Sequence, residues 1–174
     1  MDTIIENVYV DSEELLLEVT AVALKRKVMI CIGIMAACLV LFIVLGIVLE
    51  NAMLFLVAAI CVVMAVMFVR MPKNAAFNNY DSKMAAFEDQ IPETTVRFGE
   101  RITVEFNEEE VDFIYEEIKQ VKILKTCIIF EGRDRTWYYT PFNTFTIGSA
   151  PELLALLEER CPHLRIPKWN QSIT

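Results

Sequence analysis

Residues 28–69 carry no Lys, Arg, Asp or His and a single acidic side chain, Glu50, a run too long and too apolar for the core of a small soluble domain. Segments 28–49 and 52–69 each approach the roughly 20 apolar residues that cross about 30 Å of hydrocarbon. Glu50 and Asn51 stand between them, where a polar turn belongs. Because backbone polar groups in lipid must be bonded within the segment, the spans are expected to be helices. The sequence reads as a transmembrane helical hairpin followed by something else.

That remainder has its own balance. Residues 74–174 hold 17 acidic and 11 basic side chains, a net charge of −6, in a length suited to one small domain. An acidic module of this kind excludes the basic face that a nucleic-acid binder presents to phosphates. Orientation follows from the cations beside the spans. Lys25, Arg26 and Lys27 precede the first span and Arg70 and Lys73 follow the second, while the turn has none. Lys and Arg are retained on the cytoplasmic side, so both termini are expected in the cytoplasm of a multi-pass protein of the cell membrane. A cleaved signal sequence begins with cations; the first 24 residues instead carry Asp2, Glu6, Asp11, Glu13, Glu14 and Glu18 and no cation.

No chemistry-bearing constellation emerges. Cys31, Cys38 and Cys61 lie in the spans, Cys127 and Cys161 stand apart, and no CxxC pair exists. Reduced, mostly buried thiols are expected of all five. Cys161 and the single His163 do not make a zinc site. The spans have no ionisable group of the sort that marks an ion path. There is no Ser/His/Asp set and no glycine-rich phosphate loop, so the chain is read as a non-enzyme with no cofactor and no metal. Gly33 and Ala37, and Cys61 and Ala65, have the spacing that allows close helix approach. Contact between the two spans and a homo-oligomer seam are the alternatives.

Coarse patterning completes the layout. Ile4, Ile5, Val8 and Val10, interleaved with Glu6, Asn7 and Tyr9, suggest a strand; Asp11 and Ser12 then start a helix with Leu15, Leu16, Val19, Val22 and Ala23 on one stripe. This stripe is expected to pack on protein, since Glu13, Glu14 and Glu18 are poor partners for anionic lipid. After the spans, Phe77, Tyr80, Met84 and Phe87 continue a helix that Ile91 and Pro92 end. Residues 95–98 and 101–107 form a hairpin about Gly99 and Glu100, and Glu108, Glu109 and Glu110 an exposed connection. Residues 111–145 read as an antiparallel meander, with a turn at Gly132, Arg133, Asp134 and Arg135. Ser149 to Glu152 has capping-box spacing ahead of Leu153, Leu154, Leu156, Leu157 and Cys161. The expected class is α+β: a transmembrane hairpin plus a small antiparallel sheet or partial barrel closed by a C-terminal helix. Its boundaries are 1–27 (strand and helix), 28–69 (spans 28–49 and 52–69), 74–91 (juxtamembrane helix), 92–166 (cytosolic domain) and 167–174 (tail).

Tyr115-Glu116-Glu117-Ile118-Lys119-Gln120-Val121, the strand pair and hairpin that follow, Pro141-Phe142, Phe145 and the Leu-rich final helix resemble the bacterial YcxB-like family. The preceding strand, helix and two spans fit it as well, so the resemblance covers nearly the whole chain. It implies a C-terminal domain similar to pleckstrin-homology folds and brings no catalytic residues with it.

The function expected is a membrane-tethered binding or regulatory module whose partners are the lipid bilayer and a protein, because tethering raises effective concentration near membrane partners. Lys122, Lys125, Arg133, Arg135, Trp137 and Tyr138 are the candidate interaction surface; a solvated turn beside a half-buried strand is the plainer reading of the same residues. The alternative function is an accessory or oligomer-forming subunit of a transport or envelope-maintenance complex, with the spans themselves making the contact.

Overall fold

A computed structural model of the protein describes residues 5–88, 90–132 and 135–169. The chain is α+β and divides into two compact units, one of Met1–Leu15 with Tyr80–Thr174 and one of Leu16–Asn79.

The second unit is the body of two long helices, α1 (Glu13–Val48) and α2 (Ala52–Ala86). Both are long and apolar enough to cross a membrane. They are joined by a tight turn in which Glu50 takes a positive φ of 47° and the Asn51 side chain accepts a hydrogen bond from the Met53 N–H at 3.0 Å, capping α2. At Gly46 a Cβ would meet the Phe55 ring at 3.0 Å, so the absence of a side chain there lets the aromatic seat beside the turn. At Gly33 nothing lies within 4 Å of the Cβ position. Pro72 sits inside α2 and deprives the Phe68 carbonyl of its helical donor.

The first unit holds the strands. β1 (Ile5–Tyr9) comes from the N-terminal segment; β2 (Thr94–Phe98), β3 (Ile102–Phe106) and β4 (Glu109–Phe113) form a meander; a 3-10 turn (Tyr115–Glu117) leads to β5 (Gln120–Ile123), β6 (Cys127–Glu131) and β7 (Trp137–Pro141), then β8 (Phe145–Ile147) and α3 (Ala150–Arg160). Two antiparallel sheets result, ordered β4-β3-β2-β1-β8 and β5-β6-β7, and they do not close into a barrel. Phe98 and Phe113 of the larger sheet meet Phe130 and Tyr138 of the smaller, with Phe113 stacked on Tyr138 at 4.9 Å. Leu153 and Leu157 of α3, with Ile118, are fully buried in the same core.

The strand expected at the N-terminal end forms as β1, with Ile5, Asn7 and Tyr9 buried and Val10, just past its end, 49% exposed, so the polar Asn7 is inside where the apolar Val8 is only half-buried; two other local readings are corrected. The reason is hydrogen bonding: Asn7 Nδ2 donates to the Pro141 carbonyl at 2.9 Å and Thr144 Oγ1 donates to Asn7 Oδ1 at 3.1 Å, stitching β1 to the β7–β8 corner. Glu109 and Glu110 belong to strand β4, not to a connection. Asn107 and Glu108, with φ of 48° and 67°, make the two-residue turn, and the carboxylates stay exposed on an edge strand, where charge discourages further pairing. At α3 the Ser149 hydroxyl donates to Glu152 Oε2 at 2.9 Å and does not cap the backbone.

Replacing Asn7 by Val keeps a strand-forming side chain but removes both bonds, leaving Thr144 Oγ1 and the Pro141 carbonyl only each other at 3.2 Å. Urea unfolding followed by circular dichroism is expected to show a loss of about 1–2 kcal/mol, whereas a stability equal to wild type would refute the stitching role.

Candidate functional site

The candidate surface is distributed along the smaller sheet. Lys122 on β5 reaches across β6 to place Nζ 4.8 Å above the Trp137 ring on β7, and both side chains are half-exposed. A cation over an indole at a partly exposed site contributes on the order of 0.5–1 kcal/mol, enough to orient the pair. Tyr138 points differently: it stacks on Phe113 and, at 5.6 Å, on Phe130, so it is a wall of the core with one edge in water. Arg135 is exposed in the β6–β7 turn with a φ of 62°. Lys125 is exposed in the β5–β6 turn, at the other end of the sheet, about 14 Å away along the strand direction by strand rise. The structure therefore brings Lys122 and Trp137 together and separates Lys125 from Arg135; Arg133 lies outside the described residues.

A second constellation was not foreseen. Asp11, two residues before α1, has a side chain only 1% exposed. Its Oδ2 is paired with the Lys83 ammonium from the last turn of α2, and its Oδ1 accepts the Tyr139 hydroxyl at 2.6 Å. Tyr139 and Tyr9 have ring centroids 5.2 Å apart and share a hydrogen bond, and Tyr9 is further bonded to Thr94. Lys83 also lies 5.0 Å above the Phe106 ring, against which Phe87 packs edge-on at 5.6 Å. Ser12 beside the acid caps α1, its Oγ accepting the Leu15 N–H at 3.2 Å. Among the described residues, no buried side-chain nitrogen or oxygen lacks a partner. In the sequence Asp11 looks like an ordinary helix-start acid; its partners are 72 and 128 residues away, so no local pattern marks it.

Burial, reinforced by the neighbouring Asp11 charge, pushes the Tyr9 phenol well above its ordinary range. Burial first, then Tyr9 and Asp11, does the same to Tyr139. Neither phenol can exchange a proton near neutral pH. Tyr115, Cys161 and His163 are engaged with backbone carbonyls. Tyr115 donates to the Gly99 carbonyl at 2.9 Å, and burial raises its phenol to about 12. Cys161 donates to the Tyr115 carbonyl at 3.5 Å, and burial raises its thiol to about 11, well outside the thiolate range that nucleophiles need. His163 Nε2 lies 2.9 Å from the Ile118 carbonyl. Among the described residues, no group of three His, Cys, Asp or Glu side chains is placed to hold a metal.

Beside the Asp11 cluster, Tyr9, Val10, Leu15, Pro141 and Phe142 line an open groove of about 220 Å³. It is smaller than the enclosed sites of about 300–1,000 Å³ that take small molecules. On the outer face of the larger sheet, Arg97 bonds Glu6 at 3.1 Å and Glu105 at 2.9 Å, and Thr146 donates to Glu6 at 2.7 Å. These bonds, Thr146 first and Arg97 next, hold the Glu6 carboxyl below its ordinary value. No protein-family model, curated protein or solved structure matches the chain.

Replacing Asp11 by Ala leaves a buried ammonium and a buried phenol without their acceptor, and is expected to cost about 3 kcal/mol, with Lys83→Met costing a similar amount. Because they break one pair, the double variant is expected to be less destabilised than the sum; full additivity in a double-mutant cycle would exclude coupling. Raised phenol values mean that Tyr9 and Tyr139 support the fold fully below about pH 10, and that this support is lost as pH rises above the value at which the unfolded chain ionises. A phenolate titration by ultraviolet absorbance is expected to leave three of the five tyrosines, Tyr9, Tyr139 and for the most part Tyr115, silent at pH 11 until the protein unfolds. Five groups titrating while near-ultraviolet dichroism stays native would contradict the burial.

Proposed function

We propose that this chain is a membrane-anchored interaction module in which α1 and α2 cross the cell membrane as a hairpin, both chain ends lie in the cytoplasm, and the sheet unit offers a recognition surface to a protein partner. The observation that carries the reading is the state of the apolar helix surface. None of the most apolar 18-residue window of α1 and 11% of that of α2 is buried, whereas the core helix of a soluble protein is mostly covered. Bare apolar surface of this extent needs a nonaqueous environment.

Charge supports the orientation. From Lys27 to the turn α1 measures about 34 Å of helix, and from the turn to Arg70 α2 measures about 28 Å, so the cations of both helices emerge about one hydrocarbon thickness from the uncharged turn. A meander of three strands beside β1, a second meander of three strands and a closing α3 support kinship of the sheet unit with pleckstrin-homology-like folds and with the YcxB-like family. Engagement of the phenols, the thiol and the histidine in backbone or carboxylate hydrogen bonds favours binding over catalysis. The accessory-subunit reading draws on Gly33, whose open side leaves room for a helix of another chain.

In-cell crosslinking followed by mass spectrometry separates the two. A module that only uses its spans as an anchor is expected to recover the same partner after residues 28–69 are exchanged for an unrelated hairpin. Replacing Lys122 by Glu and Trp137 by Ala is expected to lower that recovery by at least about tenfold, the loss typical of an aromatic anchor. Recovery that depends on the native spans and ignores Lys122 and Trp137 would overturn the module in favour of the subunit.

A further inference from the structure

The five cations flanking the spans share a property that orientation alone does not require. Lys25, Arg26, Lys27, Arg70 and Lys73 are all exposed, and among the described residues none forms an ion pair or side-chain hydrogen bond. All five belong to the helical unit Leu16–Asn79. Carboxylates are kept away from them along both helices. On α1 the nearest acid on the polar side is Glu18, seven residues or about 10 Å from Lys25; on α2 it is Asp81, eight residues or about 12 Å from Lys73. Each gap is about a Debye length at physiological salt, so the field of the cations is not cancelled locally even though the rest of the chain is acidic. On the other side of the cations each helix is bare apolar surface.

We infer that these five side chains form a binding surface for the phosphates of anionic phospholipid headgroups, taken from the leaflet at which α1 and α2 emerge. The inference rests on the proposed membrane anchoring and adds a ligand class to it. Lys and Arg at the end of an apolar helix reach the headgroup level through their own methylene stems, which places ammonium and guanidinium groups at the depth of lipid phosphate. A headgroup whose net charge is negative gains from every unpartnered cation, whereas a zwitterionic headgroup offers its own ammonium and gains little. Arg26 and Arg70 add forked donors that suit phosphate oxygens.

The test uses full-length protein in bilayer nanodiscs of equimolar phosphatidylglycerol and phosphatidylcholine, extracted and weighed by native mass spectrometry. The wild-type protein is expected to retain phosphatidylglycerol over phosphatidylcholine by at least about fivefold, and the ratio is expected to fall to near one in a variant with Lys25, Arg26, Lys27, Arg70 and Lys73 all changed to Gln. The smaller variant R70Q/K73Q is expected to fall between the two. Raising salt tenfold on the wild-type protein gives a readout independent of any variant: the preference is expected to weaken, as surface electrostatics must. A wild-type ratio near one, an unchanged ratio in the variants, or indifference to salt would each overturn the inference. Displacement of retained lipid by millimolar glycerol phosphate would overturn the lipid source, since it would identify a site for free phosphate. Flotation of the wild-type protein with pure phosphatidylcholine vesicles after an alkaline wash is scored separately: its failure would defeat the anchoring itself, and its success beside a ratio near one would defeat only the headgroup site.

Discussion

A carboxylate taken out of water is tolerated only when its oxygens are bonded, and Asp11 satisfies that demand with a cation and a phenol from opposite ends of the sequence. The acid stands at the entry to α1, the cation in the last turn of α2, and the phenol on β7. One buried group thus ties the outer ends of both long helices into the same compact unit as the strands. Tyr9 and Thr94 extend the tie to β1 and β2, and Phe106 and Phe87 surround it with rings. The arrangement explains how 15 N-terminal residues and the segment from Tyr80 onward come to form a single body despite the helical chain between them.

What separates this clamp from a functional pair is its completeness. Both oxygens of Asp11 are occupied, and the phenols beside it are held neutral far above physiological pH. The same holds at the other end of the core, where Tyr115, Cys161 and His163 spend their polar atoms on backbone carbonyls. Polar residues inside this domain define its geometry; the half-exposed Lys122 and Trp137 and the exposed cations of the helices are outside it.

The apolar helices were legible because two uncharged runs of about 20 apolar residues, long and apolar enough to cross a membrane, leave little else for such a segment to form. Strands with alternating burial, such as β2 and β3, were legible for a similarly simple reason: one face is covered. Legibility failed where a polar group is inside or a charged one is in a strand. Asn7 is buried because distant Pro141 and Thr144 satisfy it, and three adjacent glutamates conceal the edge strand β4 because the backbone ladder, not the side chains, holds it. Of the candidate surface, Lys122 and Trp137 meet across a strand that sequence spacing cannot count, while Tyr138 turns inward onto Phe113 and Phe130. The Asp11 cluster left no trace in any window of sequence, since its members come from four separated segments.

The central claim is that α1 and α2 are membrane spans with the sheet unit on the cytoplasmic side, and labelling with a membrane-impermeant maleimide tests it most directly. Single cysteines are added at Glu50, in the turn, and at Glu152, on the exposed face of α3, each compared with the parent protein in intact and permeabilised cells. The account predicts labelling of Glu50→Cys in intact cells and of Glu152→Cys only after permeabilisation. Labelling of Glu152→Cys in intact cells, or recovery of the protein in the soluble fraction, would contradict it.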